Sequence, residues 1–222
     1  MPLGGVLTHL RDIARASDLP VNADFGNGFA PDAAGVEASV GLAIETGVAG
    51  LSIEDATGDE EKPLFEIATA VSRIRAARAA IDKAGGDTLL VGRAECFLVG
   101  RPDLDETILR LRLYAEAGAD CLYAPGIRTR EEIAAVVAAV APKPVNLLVG
   151  SASGLTMEEI AALGVRRVSV GGALARTAWG AFANAARLIA EQGRFDGFAT
   201  ALPGQELDSF FRSDLSGRAG KL

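Results

Sequence analysis

Two hydrophobic patterns alternate along the chain and predict alternating helices and strands. Residues 3–17 place Leu7, Leu10 and Ile13 on one helical face, and Pro20 then prevents the helix from continuing into a first short strand. Further strands are predicted at residues 48–53, 88–92, 121–124, 144–149 and 167–170, and the one at 48–53 is almost wholly apolar, as a strand covered on both faces should be. Further helices are predicted at residues 31–47, 64–84, 103–117, 129–140, from 156, and 174–191. Repeated strand–helix units of this kind form parallel sheets.

Two α/β architectures compete for such a pattern. An open doubly wound sheet would carry a G-x-G-x-x-G fingerprint in its first turn, and the chain has none. A (β/α)8 TIM barrel instead gathers polar residues at the carboxyl ends of several strands, as found here. We therefore expect a single, incomplete TIM-barrel domain over residues 1–222, with a helical extension from about residue 174. Because only six strands are visible and the chain opens on a helix, an amino-terminal strand–helix–strand is expected to be missing.

Polar residues follow the predicted strands at several points. Asn22 and Asp24 are two apart and share one face of the first strand, and Gly26 and Gly28 come directly after them. Later strands end in Glu54-Asp55, in Arg93-Ala-Glu95 and in Val-Asn146. A strand-end Asp that only caps the next helix is the alternative for Asp24. The recurrence at separate strands favours a functional site.

Composition narrows the class of partner. The chain has 222 residues and a formal net charge of −7, which argues against binding to nucleic acid or to an anionic membrane. The amino terminus lacks the basic-then-apolar pattern of a signal peptide. Cys96 lies near the end of one predicted strand and Cys121 at the start of the next, so a disulfide between them is not expected. A reduced, cytoplasmic setting follows as the expectation.

Several blocks in the chain together resemble the isocitrate lyase/phosphoenolpyruvate mutase superfamily. The blocks are VNADFGNGFA, GVAGLSIEDATG, VGRAECFLVGR, AGADCLYAPG, KPVNLLV and VRRVSVGGAL, and they occur in the order of the family. The resemblance implies a (β/α)8 barrel whose carboxy-terminal helix is commonly exchanged within a homo-oligomer, a dimer or a tetramer. It also implies Mg²⁺ and a small 2-oxo or 2-hydroxy carboxylate substrate, with a C–C or, more rarely, a P–C bond broken or made.

The resemblance assigns roles to individual residues. Asp24 and Glu54 match acidic residues that support the metal, and Asn22 stands where the family usually has a further acid. Arg93 matches an arginine that contacts the substrate carboxylate or neighbouring acids, and Glu95 is the acid that follows it. Residues 57–63 correspond to a gating loop over the site.

The chain also departs from the family pattern. The lyases carry a Lys-x-Cys-Gly-His type motif in the gate, whereas residues 58–63 contain neither Cys nor His, which argues against the usual isocitrate cleavage. The segment 123–125 reads Tyr-Ala-Pro where some members place a histidine. Residues 1–19 have no counterpart of the first two family strands, which supply part of the substrate clamp.

Chemistry considered without the family points to the same residues. Cleavage beside a carbonyl leaves an enolate, and Mg²⁺ held by one or two carboxylates, here Asp24 and Glu54, can stabilise that charge. Arg93 offers a two-pronged donor for a carboxylate, although ion pairs with Glu54 or Glu95 that only join strand ends are the alternative. Asn146 is a candidate for substrate binding. Ser169 and Cys96 are expected to serve packing.

The first hypothesis is therefore a Mg²⁺-dependent C–C lyase, acting by retro-aldol cleavage or decarboxylation through an enolate. Catalytic roles are predicted for Arg93, Glu95 and Asp24, and substrate contacts for Asn22, Arg93 and Asn146. The enzyme alternative is a phosphoenolpyruvate mutase or a related phosphonate enzyme. The alternative from another class is a truncated and inactive barrel. Two long exposed sheet edges are avoided by soluble proteins, so homo-oligomerisation is expected.

Overall fold

The computed structural model describes residues 1–218. They divide into two compact units, Met1–Val170 and a second unit that begins at Gly171. No helix within the described residues is both long enough and apolar enough to cross a lipid bilayer.

The first unit is a six-stranded, wholly parallel sheet with strand order β1-β2-β3-β4-β5-β6. The strands are β1 Asn22–Asp24, β2 Gly50–Glu54, β3 Leu89–Arg93, β4 Cys121–Tyr123, β5 Val145–Leu148 and β6 Arg167–Ser169. The helices of this unit are α1 Leu3–Ala16, α2 Ala33–Ile44, α3 Ile67–Ala84, α4 Leu104–Glu116, α5 Arg130–Val140 and α6 Met157–Ala162. A strand order that never reverses is that of a barrel wall, because a doubly wound sheet changes direction at a switch point. The predicted α/β fold is thus present as a half-barrel.

Local sequence signals account for where most helices begin. Asp32 caps α2 by accepting a hydrogen bond from the backbone N–H of Gly35 at 2.8 Å. Asp103 caps α4 in the same way. Thr129 and Thr156 open α5 and α6 with complete capping boxes, as the Thr-x-x-Glu spacing predicts. Because these contacts lie within four residues, they can be predicted from the sequence.

One predicted surface residue is instead buried. Helical spacing predicts Arg73 on the solvated side of α3, but the residue is 1% exposed. Its guanidinium donates hydrogen bonds to the backbone carbonyls of Asn27 and Ala30, both at 2.6 Å, and of Pro31 at 3.2 Å. Its charge also lies 4.5 Å above the ring of Phe65. The prediction was wrong because the partners are loop carbonyls more than forty residues away, which no helical period encodes.

The second unit is helical in its described part. It contains α7 Ala173–Gln192, a short 3-10 helix Asp196–Phe198 and α8 Gly204–Arg218. Gly197 allows the 3-10 helix to pack closely on α7, because a Cβ there would come within 2.7 Å of the Cα of Ala185. That both units form one domain, and that the chain is a homo-oligomer, stay predictions.

The sheet and its helices pack tightly at Gly92, near the end of β3. A Cβ at this position would lie 2.9 Å from the Cβ of Tyr114 on α4 and 3.1 Å from the Cβ of Ala119. This contact also shows that Gly92 faces the helices, so its neighbour Arg93 faces the opposite side of the sheet.

We predict that Gly92→Ala lowers the free energy of unfolding by about 1–3 kcal/mol, because two Cβ atoms that cannot rotate away would have to move. Urea unfolding followed by circular dichroism measures the change. Gly86→Ala is the matched control, since no atom lies within 4 Å of a Cβ there. Equal stability of the two variants would contradict the packing described here.

Candidate active site

Four side chains form one row across the sheet at the carboxyl ends of its strands. Strand pairing places Glu54 beside Arg93, Arg93 beside Tyr123, and Tyr123 beside Asn146. Residues paired in register on neighbouring parallel strands point to the same side. The row therefore lies on the face away from the helices, where a barrel has its interior.

Arg93 joins three carboxylates from three separate places in the chain. Its Nη1 atom lies 3.0 Å from Asp24 Oδ2 and 3.3 Å from Glu54 Oε2. Its Nε atom donates a hydrogen bond to Glu95 Oε1. Since Asp24 and Glu54 contact the same nitrogen atom, these predicted metal ligands face each other at one rim. The ion pairs also match the alternative reading of Arg93 as a residue that joins strand ends.

The site carries more negative than positive charge. Burial is the main cause that raises the pKa of Glu54 to about 7, and the neighbouring charges of Glu95, Asp24 and Asp55 add to it, while Arg93 opposes it. Burial likewise raises the pKa of Glu95, against the hydrogen bond from Arg93. Three acids around one guanidinium therefore leave an unbalanced charge that a further cation would neutralise.

These carboxylates are a suitable set for Mg²⁺. Magnesium prefers oxygen ligands and usually keeps several waters, so one or two protein carboxylates are enough. Asp24 has a side chain 71% exposed and Glu54 one that is 20% exposed, so both oxygens that contact Arg93 can be approached from solvent. No group of three or more acidic, His or Cys side chains is arranged as a metal cage within residues 1–218. Water and substrate oxygens would complete the ion's shell.

A buried polar network on the helix side of the sheet holds the backbone of Glu95 in place. Asp55 points to the helix side of the sheet, opposite to Glu54, and its Oδ1 accepts the backbone N–H of Glu95 at 2.8 Å. Its Oδ2 accepts hydrogen bonds from Tyr114 at 2.6 Å and from Arg110 at 3.0 Å. Because the charges of Asp55 and Arg110 are paired and almost fully buried, this network holds the segment after β3 in place.

The glycine loop after β1 and the predicted gate are connected through Asn27. Gly26 and Gly28 both have positive φ angles, of 51° and 90°, which lets the chain turn sharply between them. Asn27 donates from Nδ2 to the carbonyl of Ala56 at 3.2 Å, at the base of the gate. A cavity of about 380 Å³ adjoins the gate and is lined by Ala56, Gly58, Asp59, Glu60, Pro63, Leu98 and Val99.

Asn22 lies on the predicted face but away from the Arg93 cluster. Asn22 pairs with Gly50 on β2, and Gly50 pairs with Leu89 on β3. Gly50 and Leu89 lie four residues before Glu54 and Arg93 on the same strands, nearer their amino ends. The Oδ1 atom of Asn22 fills the space above Gly50, where a Cβ would come within 2.8 Å. A substrate contact by Asn22 stays a prediction.

Asn146 lies in the row beside Tyr123, and Ser169 on the next strand contacts it. No chemical role is predicted for Tyr123 or Ser169 from the sequence. The Nδ2 atom of Asn146 donates to Ser169 Oγ at 3.0 Å, while its Oδ1 is buried without a hydrogen-bond partner in the described chain. Ser169, expected to serve packing, also lies close enough to the Tyr123 phenol to lower its pKa. Tyr123 itself has its ring 5.2 Å from Arg93 Cζ. Its position one strand from Arg93 is the signal that could have identified it.

Both cysteines are buried and free. Burial raises the pKa of the Cys96 thiol and of the Cys121 thiol. Neither lies in the gate, so neither takes the place of the gate cysteine that the lyases carry.

Together, the half-barrel and its strand-end rim, where one arginine contacts three acids, are typical of a TIM-barrel protein. A model of the phosphoenolpyruvate phosphomutase family matches residues 1–190, and the chain belongs to this family. The predicted superfamily and its TIM-barrel fold are confirmed.

Relatives of known name include enzymes of C–C bond cleavage. An oxaloacetate decarboxylase of Bradyrhizobium sp. strain BTAi1 is 31% identical over 166 residues, 72% of this chain and 54% of its own length. A 2-methylisocitrate lyase of Escherichia coli K12 is 34% identical over 56% of this chain and 43% of its own length. The chain thus spans about half the length of these curated relatives.

Solved structures agree with the fold. A Burkholderia cenocepacia J2315 protein, provisionally described as a lyase/mutase, is 46% identical with a TM-score of 0.90, over 95% of this chain and 76% of that one. A 2,3-dimethylmalate lyase is 25% identical with a TM-score of 0.82, over 100% of this chain and 78% of that one.

We predict that Glu54→Gln stabilises the metal-free protein at pH 8 by on the order of 2 kcal/mol and changes little at pH 5. An acid with a raised pKa favours the folded state only while it is protonated, so this contribution is lost as the pH rises from 4.5 through about 7. Above that range the ionised Glu54 is a net cost, which glutamine removes.

Thermal unfolding in EDTA at both pH values measures the effect. The same substitution at the exposed Glu45 controls for the change of net charge. A lower melting temperature of Glu54→Gln at pH 8 than of the wild type would mean that its pairing with Arg93 outweighs the cost of burial.

Proposed function

We propose that this protein is a Mg²⁺-dependent carbon–carbon lyase that acts on a small 2-oxo or 2-hydroxy carboxylic acid. The observation that carries the proposal is that Asp24 and Glu54, from different strands, meet at one nitrogen of Arg93. A site with acids for a cation beside an arginine for a carboxylate fits the two ends of such a substrate.

Each residue has a distinct role in the proposal. Asp24 and Glu54 would hold the ion, which would stabilise the negative charge that develops on the substrate. Arg93 binds the substrate carboxylate, and its Nη2 has no hydrogen-bond partner among residues 1–218 and is available for it. Glu95 fixes the orientation of Arg93 from the Nε side. Asn146 contributes an amide from the neighbouring part of the row.

Decarboxylation of an oxaloacetate-like acid is the reaction that we favour. A retro-aldol cleavage needs a base to remove a hydroxyl proton. Decarboxylation of a 2-oxo acid whose departing carboxylate stands on C3, as in oxaloacetate, needs only stabilisation of the enolate and a final proton. Relatives named oxaloacetate decarboxylase support this choice, and so does the absence of the Cys-Gly-His motif from residues 57–63.

Binding of Mg²⁺ and oxalate tests the ion site directly. Oxalate mimics the enolate, and we expect calorimetric titration to show oxalate binding that requires Mg²⁺. Asp24→Ala and Glu54→Ala should each weaken it by about tenfold or more, because each removes a carboxylate from the ion.

Glu45→Ala, which removes an exposed acid at the end of α2, is the control and should keep the affinity. If the intact chain shows no Mg²⁺-dependent oxalate binding, the inactive-barrel alternative is favoured instead.

The name of the family model keeps one alternative reaction open. A mutase would convert phosphoenolpyruvate and phosphonopyruvate into each other, with no change in total carbon–carbon bonds. We expect oxaloacetate to yield pyruvate and carbon dioxide, and ³¹P spectra of phosphonopyruvate to stay unchanged. The reverse pair of results would identify the mutase.

A further inference from the structure

The proposed reaction ends with a proton delivered to carbon, and the side chains at the rim differ in their ability to supply it. Asp24, Glu54 and Glu95 all contact Arg93. The gate contains no Cys or His, and the two cysteines are buried elsewhere. A hydroxyl on the same face of the sheet is a further kind of donor.

Tyr123 places a hydroxyl at this position. It stands in register between Arg93 and Asn146, so its side chain points to the same side of the sheet as both. The 5.2 Å between its ring and Arg93 Cζ places the phenol beside the group that holds the substrate carboxylate.

A row of polar groups leads from this phenol along the sheet. Ser169 lies close enough to the Tyr123 phenol to lower its pKa against the effect of burial, and Ser169 Oγ accepts from Asn146 Nδ2 at 3.0 Å. Asn146 is 1% exposed, and its Oδ1 lacks a partner in the described chain. A buried amide oxygen without a partner is costly, so a group that donates to it is expected when the site is filled. Three strands thus converge on one polar cluster beside Arg93.

We infer that Tyr123 is the general acid of the reaction, with Ser169 as its positioning residue; this inference rests on the proposed function. In decarboxylation the bond between C3 and the departing carboxylate breaks, and its electron pair forms the enolate. The Tyr123 O–H bond then breaks as a C3–H bond forms, which leaves a phenolate. Solvent returns the proton through the hydroxyl of Ser169, which gives one proton and accepts another, so the protein ends unchanged.

Burial raises the pKa of the Tyr123 phenol, which keeps it in the protonated form that an acid needs. The half-buried Ser169 is placed between this phenol and the rest of the polar cluster.

The test uses Tyr123→Phe, which removes the hydroxyl and keeps the ring beside Arg93. With oxaloacetate, kcat should fall by about 100-fold or more, while KM and Mg²⁺-dependent oxalate binding stay within about threefold of the wild type. An unchanged kcat would overturn the inference.

Stereochemistry supplies a second readout that a structural role would not change. With 3-methyloxaloacetate in D₂O, the wild type should deliver deuterium to one face of C3 in the product 2-oxobutanoate. Immediate reduction of the product to 2-hydroxybutanoate preserves the label for analysis. Tyr123→Phe should release an enolate that solvent protonates from both faces, so the label becomes racemic. A label that stays on one face in this variant would overturn the inference.

The second tyrosine of the chain provides the matched control. Tyr114→Phe removes a hydroxyl from the Asp55 network on the helix side, so it should lower stability and leave the stereochemistry intact. Ser169→Ala should lower kcat by about tenfold with the label still on one face, because it misplaces the phenol without removing it. A racemic label from Tyr114→Phe would contradict the inference.

Failure of the inference and failure of the proposed function give different results. A wild type that decarboxylates neither acid contradicts the proposed function, and the inference with it. A wild type that is active and stereospecific, together with an equally active and stereospecific Tyr123→Phe, contradicts the inference alone.

Discussion

The contact of one guanidinium with three carboxylates is the constraint on which the rim of this half-barrel depends. Asp24, Glu54 and Glu95 would repel one another without Arg93 among them. Arg93 brings them together but balances only one of their charges. Burial is the largest cause of the raised pKa of Glu54, about 7, and the charges of the neighbouring acids add to it while Arg93 opposes it. A divalent cation held by Asp24 and Glu54 would balance the remaining negative charge, as the proposed function requires.

The opposite face of the sheet makes this arrangement rigid. Alternation along β2 and its end sends Glu54 to the rim and Asp55 into the helix layer, one residue apart. There Asp55 binds Tyr114, Arg110 and the backbone of Glu95, so the residue that orients Arg93 is itself fixed. Arg73 fixes the loop after β1 in a similar way, because it donates hydrogen bonds to three backbone carbonyls of that loop. The buried charges of Asp55, Arg110 and Arg73 therefore hold the segments beside the rim in fixed positions.

Membership in the phosphoenolpyruvate phosphomutase family places the chain among relatives with several reactions. The gate residues that distinguish the lyases are absent here, while the acids and the arginine of the rim are present. Chemistry that needs a cation, an arginine and one proton donor is compatible with this set. The row continues from Arg93 through Tyr123 to Asn146.

Much of the fold was predictable because its signals are local. Apolar strands, helix caps at Thr129 and Thr156, and breaks at glycine and proline act over a few residues. The candidate site was predictable in part, because strand-end acids such as Asp24 and Glu54 meet whenever parallel strands share a rim. Arg73 was misplaced because its partners are carbonyls of a distant loop. Tyr123 and Ser169 were missed because only strand pairing makes them neighbours.

The sequence by itself therefore determined the order of strands and helices, the family, and which acids stand at strand ends. Only the tertiary structure decided that Arg93 contacts three of those acids at once, that Asp55 serves the core and that Tyr123 lies beside Arg93. Register between strands sets these distances, and register arises from packing over the whole sheet and not from any one segment.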